Sequence, residues 1–131
     1  MSWRMVMCST SGSASEPSPD RETGWLVRDG DVLASVEVAQ GRRARAYGLL
    51  GRKSLVGALV LPSTRSVHSL GMHFDLDVAF VDADNIVIRT LQLKRNRVTL
   101  PVWRSRLVIE AEAGSFGQWD LNIGDKVELR Q

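Results

Sequence analysis

The sequence predicts a mainly β domain of the α+β class: an antiparallel β-sandwich or partly open barrel with one or two short helices. Three observations lead there. Six or more short apolar runs rich in Val, Ile and Leu follow one another along the chain. Turn chemistry separates them, at Asp29-Gly30-Asp31, Asp82-Ala83-Asp84-Asn85 and Gly124-Asp125. Residues 40–52, by contrast, show no strand alternation and few β-branched side chains.

The elements follow in order. Trp25-Leu26-Val27-Arg28 and Val32 to Val38 flank the first turn and form a hairpin. In residues 40–52, Ala46, Leu49 and Leu50 fall at i, i+3 and i+4, so a short helix can pack one face while its arginines stay in water. Gly48 and Gly51 limit its length. Ala58-Leu59-Val60-Leu61 is a strand stopped by Pro62. A long strand follows, in which Met72, Phe74, Leu76, Val78 and Phe80 point to the core and His73, Asp75, Asp77, Ala79 and Val81 to the other side. Ile86 to Leu91 returns antiparallel, and Lys94 to Arg106 is an irregular basic loop holding Pro101 and Trp103. Leu107 to Glu112 is a strand, Ser115 to Leu121 a helical turn with Ser115 as N-cap, and Lys126 to Leu129 the closing strand.

A chain of 131 residues is one domain by length. Residues 9–22, rich in Ser with two prolines, cannot bury enough apolar surface to offset ordering entropy. The expectation is therefore a disordered tail over 1–22 and a single globular β-rich domain over 23–131. The lone cysteine, Cys8, allows no intrachain disulfide. Only Met5, Val6 and Met7 separate Arg4 from Cys8, short of the about 7–15 apolar residues of a secretory signal. No apolar run approaches the roughly 20 residues that span a bilayer, so a cytoplasmic location is expected, without a membrane partner. A formal net charge of +2 gives no general reason to expect nucleic acid, and the two basic groups, Arg42–Lys53 and Lys94–Arg106, lack the interleaved aromatics that stack bases.

His68, His73, Asp75 and Asp77 are all legitimate metal ligands, which would make a small metal-dependent or acid–base hydrolase. Alternate strand residues sit about 6–7 Å apart, however, so all four could share one ion only across a sharp bend at Gly71. Asp77, entering apolar surroundings, fits a scaffold role better. There its carboxylate would accept backbone hydrogen bonds and tie residues 63–70 to the sheet. No nucleophile elbow, phosphate loop or dinucleotide glycine pattern is present, so no catalytic residue is assigned. Trp103 beside Arg104 makes a reasonable rim for an anionic ligand.

Tyr47-Gly48-Leu49-Leu50-Gly51-Arg52, Ala58-Leu59-Val60-Leu61, the run from Val67 to Asp82, Ile109-Glu110-Ala111-Glu112-Ala113-Gly114 and Gly124-Asp125 together resemble the family catalogued as domain of unknown function 192, conserved in bacteria and archaea. The resemblance covers about residues 32–130. It implies a compact β-rich domain with a sandwich-like core and no settled activity or cofactor. The family's histidine, methionine and aspartate fall on His68, Met72 and Asp77. The usual Met, Arg and Pro are replaced by Leu50, His73 and Asp75. Many relatives carry signal peptides; none is recognised here.

The expectation that combines these points is a non-catalytic binding or accessory domain without a cofactor. His68, Met72, Asp77, Trp103 and Arg104 would form a shallow site for a small polar or anionic ligand or a protein partner. The chain itself is expected to be a monomer or weak homodimer.

Overall fold

The computed structural model describes residues 21–49 and 53–131, and places them in one seven-stranded sheet with two short helices. β1 (Arg21–Arg28) and β2 (Asp31–Ala39) form the first hairpin. Asp29 and Gly30 both take positive φ, 51° and 83°, the geometry that matches a two-residue turn to the twist of its strands. Arg21 and Glu22 thus belong to a strand and not to the expected tail, because they pair with Ala39 and Val38. The rest of that tail, with Cys8, lies outside the described residues, as do Leu50, Gly51 and Arg52.

α1 (Gly41–Leu49) carries the chain from β2 to β3 (Ala58–Pro62), which lies parallel to β2. Parallel neighbours need such a crossover, and α1 supplies it. This pair is the exception in an otherwise antiparallel sheet. β4 (Leu76–Val81), β5 (Val87–Leu93), β6 (Leu107–Glu112), α2 (Ser115–Trp119) and β7 (Glu128–Arg130) complete the chain, in sheet order β5-β4-β6-β3-β2-β1-β7. The edges β5 and β7 meet at one corner, where Val87 N–H donates to the Asp125 carbonyl (2.8 Å) and Val127 N–H to that of Asn85 (2.9 Å). The Ile86–Lys126 bridge there is antiparallel, so the two edge strands run apart and the sheet stays unclosed. Of the two predicted architectures, the partly open barrel describes this single curled sheet better than the sandwich.

β4 and β6 are interior strands buried on both faces, so each face needs its own cover. On one side Leu26, Val60, Ala79, Val81 and Ile109 pack under Phe116 of α2. On the other Leu59, Val78, Phe80 and Val108 pack under Ala44 and Leu49 of α1. Met72 and Phe74 join this second cluster, on the predicted side, but from a loop. The long strand predicted to begin before them starts only at Leu76, because the chain turns at Gly71 with φ 75°; the Asp75 carbonyl, accepting from Ala113 N–H (3.0 Å), is the last step of the β4–β6 ladder.

Ser115 is not the N-cap of α2. Gly114 occupies that position with φ 98° and makes no side-chain cap. Arg28 fastens the other end of α2, donating to the carbonyls of Trp119 (3.2 Å) and Asp120 and to the Asp125 carboxylate (2.8 Å), a cation placed where the helix carbonyls end.

The parallel β2–β3 register depends on Gly57, whose φ is +76° and whose missing Cβ would lie 2.4 Å from the Ser35 carbonyl oxygen. Gly57→Ala should destabilise the domain by about 2 kcal/mol or more in a urea titration. A cost below about 0.5 kcal/mol would show that β3 can shift away freely.

Candidate functional site

Asp77 is 8 % exposed and lies on the α2 face of β4. Its Oδ2 accepts hydrogen bonds from Gly114 N–H and Phe116 N–H, both at 3.0 Å. The carboxylate therefore caps α2 from a neighbouring strand, doing the work expected of Ser115. The backbone-acceptor role predicted for Asp77 is present, but the segment it ties down is 114–116 and not 63–70. That loop is held by Ser69 instead, whose hydroxyl donates to the Lys94 carbonyl (2.6 Å) and accepts from Arg97 N–H (3.0 Å). Asp75 accepts from Arg95 N–H (2.9 Å).

Among the described residues, the most heavily buried charge lies outside the set of site residues that the sequence predicts. Glu110, fully enclosed on the α1 face of β6, pairs with Leu59 on one side and Val78 on the other. Arg45 of α1 reaches it, with Nη2 at 2.8 Å and Nε at 3.2 Å from the same oxygen, Oε1. Arg45 is thus not one of the wet arginines expected on this helix; its side chain is only 12 % exposed. Its Nη2 also donates to the His68 carbonyl, so one guanidinium joins α1, β6 and the loop after β3. Glu110 Oε2 has no hydrogen-bond partner. Burial pushes the Glu110 carboxyl above the ordinary carboxylate range, and the Arg45 charge pulls it back only in part. A signal was available in sequence: an acid in the middle of Leu107-Val108-Ile109-Glu110-Ala111, a run apolar on both faces, needs a buried cation.

Above this pair opens a cavity of about 680 Å³, lined by α1, most of the segment 61–72, Ala39 and Val98. Arg45 and His68 line it together with Thr64, Ser66, Leu49 and Met72. Two of the five expected ligand-binding residues, His68 and Met72, therefore share one cavity. Asp77 is on the opposite face of the sheet. Trp103, 73 % exposed, and Arg104, also exposed, stand on the basic loop outside the cavity lining. His68 Nδ1 accepts from Leu70 N–H (3.2 Å), and His73 is exposed. Among the described residues, His68, His73, Asp75 and Asp77 do not gather into a metal-binding group. The arrangement can present a fixed guanidinium to a carboxylate or phosphate in a partly apolar enclosure.

Fold and site define a β-rich domain with an ion pair buried beneath an open cavity. The family described as Uncharacterized ACR, domain of unknown function 192, matches residues 25–129, and the chain belongs to it. A UPF0127 protein of Pyrococcus abyssi is 31% identical over 98 residues, covering 71% of this chain and 84% of that protein. Another, of Pyrococcus horikoshii, is 32% identical over 98 residues, covering 71% and 85%. Two crystal structures share the fold at a TM-score of 0.66. One, from Sinorhizobium meliloti and described as a candidate transcription regulator, is 21% identical and covers 88% of this chain and 98% of its own. The other, a protein of unknown function from Novosphingobium aromaticivorans, is 19% identical and covers 93% and 99%.

Two outcomes follow for the buried carboxylates. Asp77→Ala should cost about 1–3 kcal/mol in urea, since it strands two backbone donors, while Asp75→Ala, with one donor in a less buried place, should cost about 1 kcal/mol or less. Equal costs would remove the special role of the α2 cap. Arg45→Met should cost about 3–5 kcal/mol at neutral pH by leaving a buried charge unmatched, and adding Glu110→Leu should restore most of it.

The pH dependence has a definite sign. Between the ordinary carboxylate range and its raised value, Glu110 holds more protons folded than unfolded, so stability there falls as pH rises. Without Arg45 the carboxyl is raised further. The deficit of Arg45→Met should therefore shrink as the pH is lowered from about 7.5 to about 5, as read by melting temperature. A pH-independent deficit would contradict this.

Proposed function

We propose that the domain is a non-catalytic binding module that takes a small anionic ligand in the cavity between α1 and residues 61–72. The observation that carries this reading is Arg45. A guanidinium held at three points, over a carboxylate that offers it only one oxygen, lines an enclosure of about 680 Å³. That volume is within the range of small-molecule sites. The apolar lining from Leu49 and Met72 and the polar lining from Thr64, Ser66 and His68 support a ligand with a charged end and an apolar body. His68 and Met72 belong to this site; Asp77 acts on the scaffold. Trp103 and Arg104, on the basic loop, stay outside its lining.

Ligand-observed NMR against a panel of small carboxylates and phosphate esters tests the reading, with Ala46→Trp as the control. Ala46 lines the cavity from α1, half-buried and outside the Arg45–Glu110 contacts, so an indole there fills the space. Signals from compounds with Kd below about 1 mM should be present with the parent protein and lost in Ala46→Trp. A panel without hits, or hits unaffected by filling the cavity, would refute it.

A further inference from the structure

The loop from Lys94 to Arg106 has an irregular path but a pinned backbone. Ser69 N–H donates to the Arg97 carbonyl (2.8 Å), Thr99 N–H to Val67 (2.9 Å) and Val102 N–H to Arg65 (2.8 Å). Val67 N–H donates to the Thr99 hydroxyl (3.0 Å), and His68 and Val98 pair in an antiparallel bridge. Residues 67–70 and 97–100 therefore make a short two-stranded ribbon. Apart from buried Val67 and exposed His68 and Arg97, its polarity is inverted. The hydroxyl residues Ser69 and Thr99 are turned inward and buried, where they serve the backbone, while Leu70 (49 %), Val98 (64 %) and Leu100 (79 %) stand in water. Trp103, 73 % exposed, extends the same apolar segment. Four large apolar side chains held outward on a fixed backbone make a surface that gains by being covered.

The charge around them selects what covers it. Arg65, Lys94, Arg95, Arg97, Arg104 and Arg106 are all exposed, and no Asp or Glu occurs between Lys94 and Arg106. Asp75 touches the loop only at its start, through Arg95 N–H. A second copy of the chain placed face to face would set these cations against each other. Nucleic acid would satisfy the cations but not Leu70, Val98 and Leu100, which offer no stacking plane. An indole and aliphatic knobs ringed by arginine match the boundary of an anionic bilayer, where apolar side chains enter the acyl region and cations meet the headgroups. We propose that this ribbon, with Trp103 and its arginines, docks the domain onto an anionic lipid surface. Among the described residues no helix is long and apolar enough to cross a membrane, which bears on spanning and not on lying against one.

Co-sedimentation of the full chain with vesicles of phosphatidylcholine and about one third phosphatidylserine tests the proposal. Binding is expected at about 0.1 M salt, at least about tenfold weaker on pure phosphatidylcholine or at about 0.5 M salt. The double variant Leu100→Ser/Trp103→Ser should lose about tenfold or more at unchanged melting temperature. Neither position lines the cavity, so the outcome is separate from that of ligand binding. Absence of vesicle binding would overturn the proposal and leave the patch to a protein partner. Equal binding to neutral vesicles would remove the anionic surface. Binding unchanged in the double variant would reduce the interaction to adsorption by arginine, and so also overturn it.

Discussion

Glu110 sits in the middle of β6 with hydrogen-bonded strands on either side, so its carboxylate can be reached only from the face that α1 covers. An unmatched charge in that place would cost several kcal/mol, and Arg45 is the match. Much of the α1 face depends on this one contact. It fixes where the crossover helix lies over the sheet and, through the His68 carbonyl, where the loop after β3 begins its return. The cavity is the space left between the two segments so held. Well-packed apolar residues would hold the helix as firmly. An ion pair stands here instead, with one carboxylate oxygen unpartnered, and its guanidinium lines the cavity.

The opposite face is organised by a second carboxylate in a simpler way. Asp77 belongs to a central strand and caps a helix only five residues long, which has no side-chain cap of its own. So short a helix has little intrinsic stability. Its position comes from Phe116 packed into the core and from Asp77 and Arg28 at its two ends. The two acids thus divide the work: one positions a helix through charge, the other through backbone hydrogen bonds.

Local patterns carried much of this fold into the sequence. The strand Leu107–Glu112 and the Asp29-Gly30 hairpin follow from composition and turn chemistry, because both are fixed by neighbours in the chain. The facing of Met72, Phe74, Leu76, Val78 and Phe80 also survives, although the first two are not in a strand, since alternation records burial and not hydrogen bonding. Contacts between distant residues were hidden. Nothing near Arg45 marks it as the partner of an acid 65 positions later, and nothing near Asp77 marks residues 114 and 116 as its donors. Of the expected site, His68 and Met72 meet at the cavity because they flank one turn, whereas Asp77 and Trp103 were grouped with them by chemistry alone.

The corner where β5 and β7 touch and then part bears on how the two free edges of the sheet meet their surroundings. A sheet that fails to close has two edges with unpaired backbone, each a template for another chain. β7 is three residues long and ends in a Glu128–Arg130 side-chain pair (3.0 Å), while β5 carries Arg89 and Gln92 in water. Because the strands diverge from the corner, neither presents a long flat run of free amides beside the other. The shortness of β7, the charges on both edges and the divergence of the strands each disfavour edge-to-edge addition at this open seam.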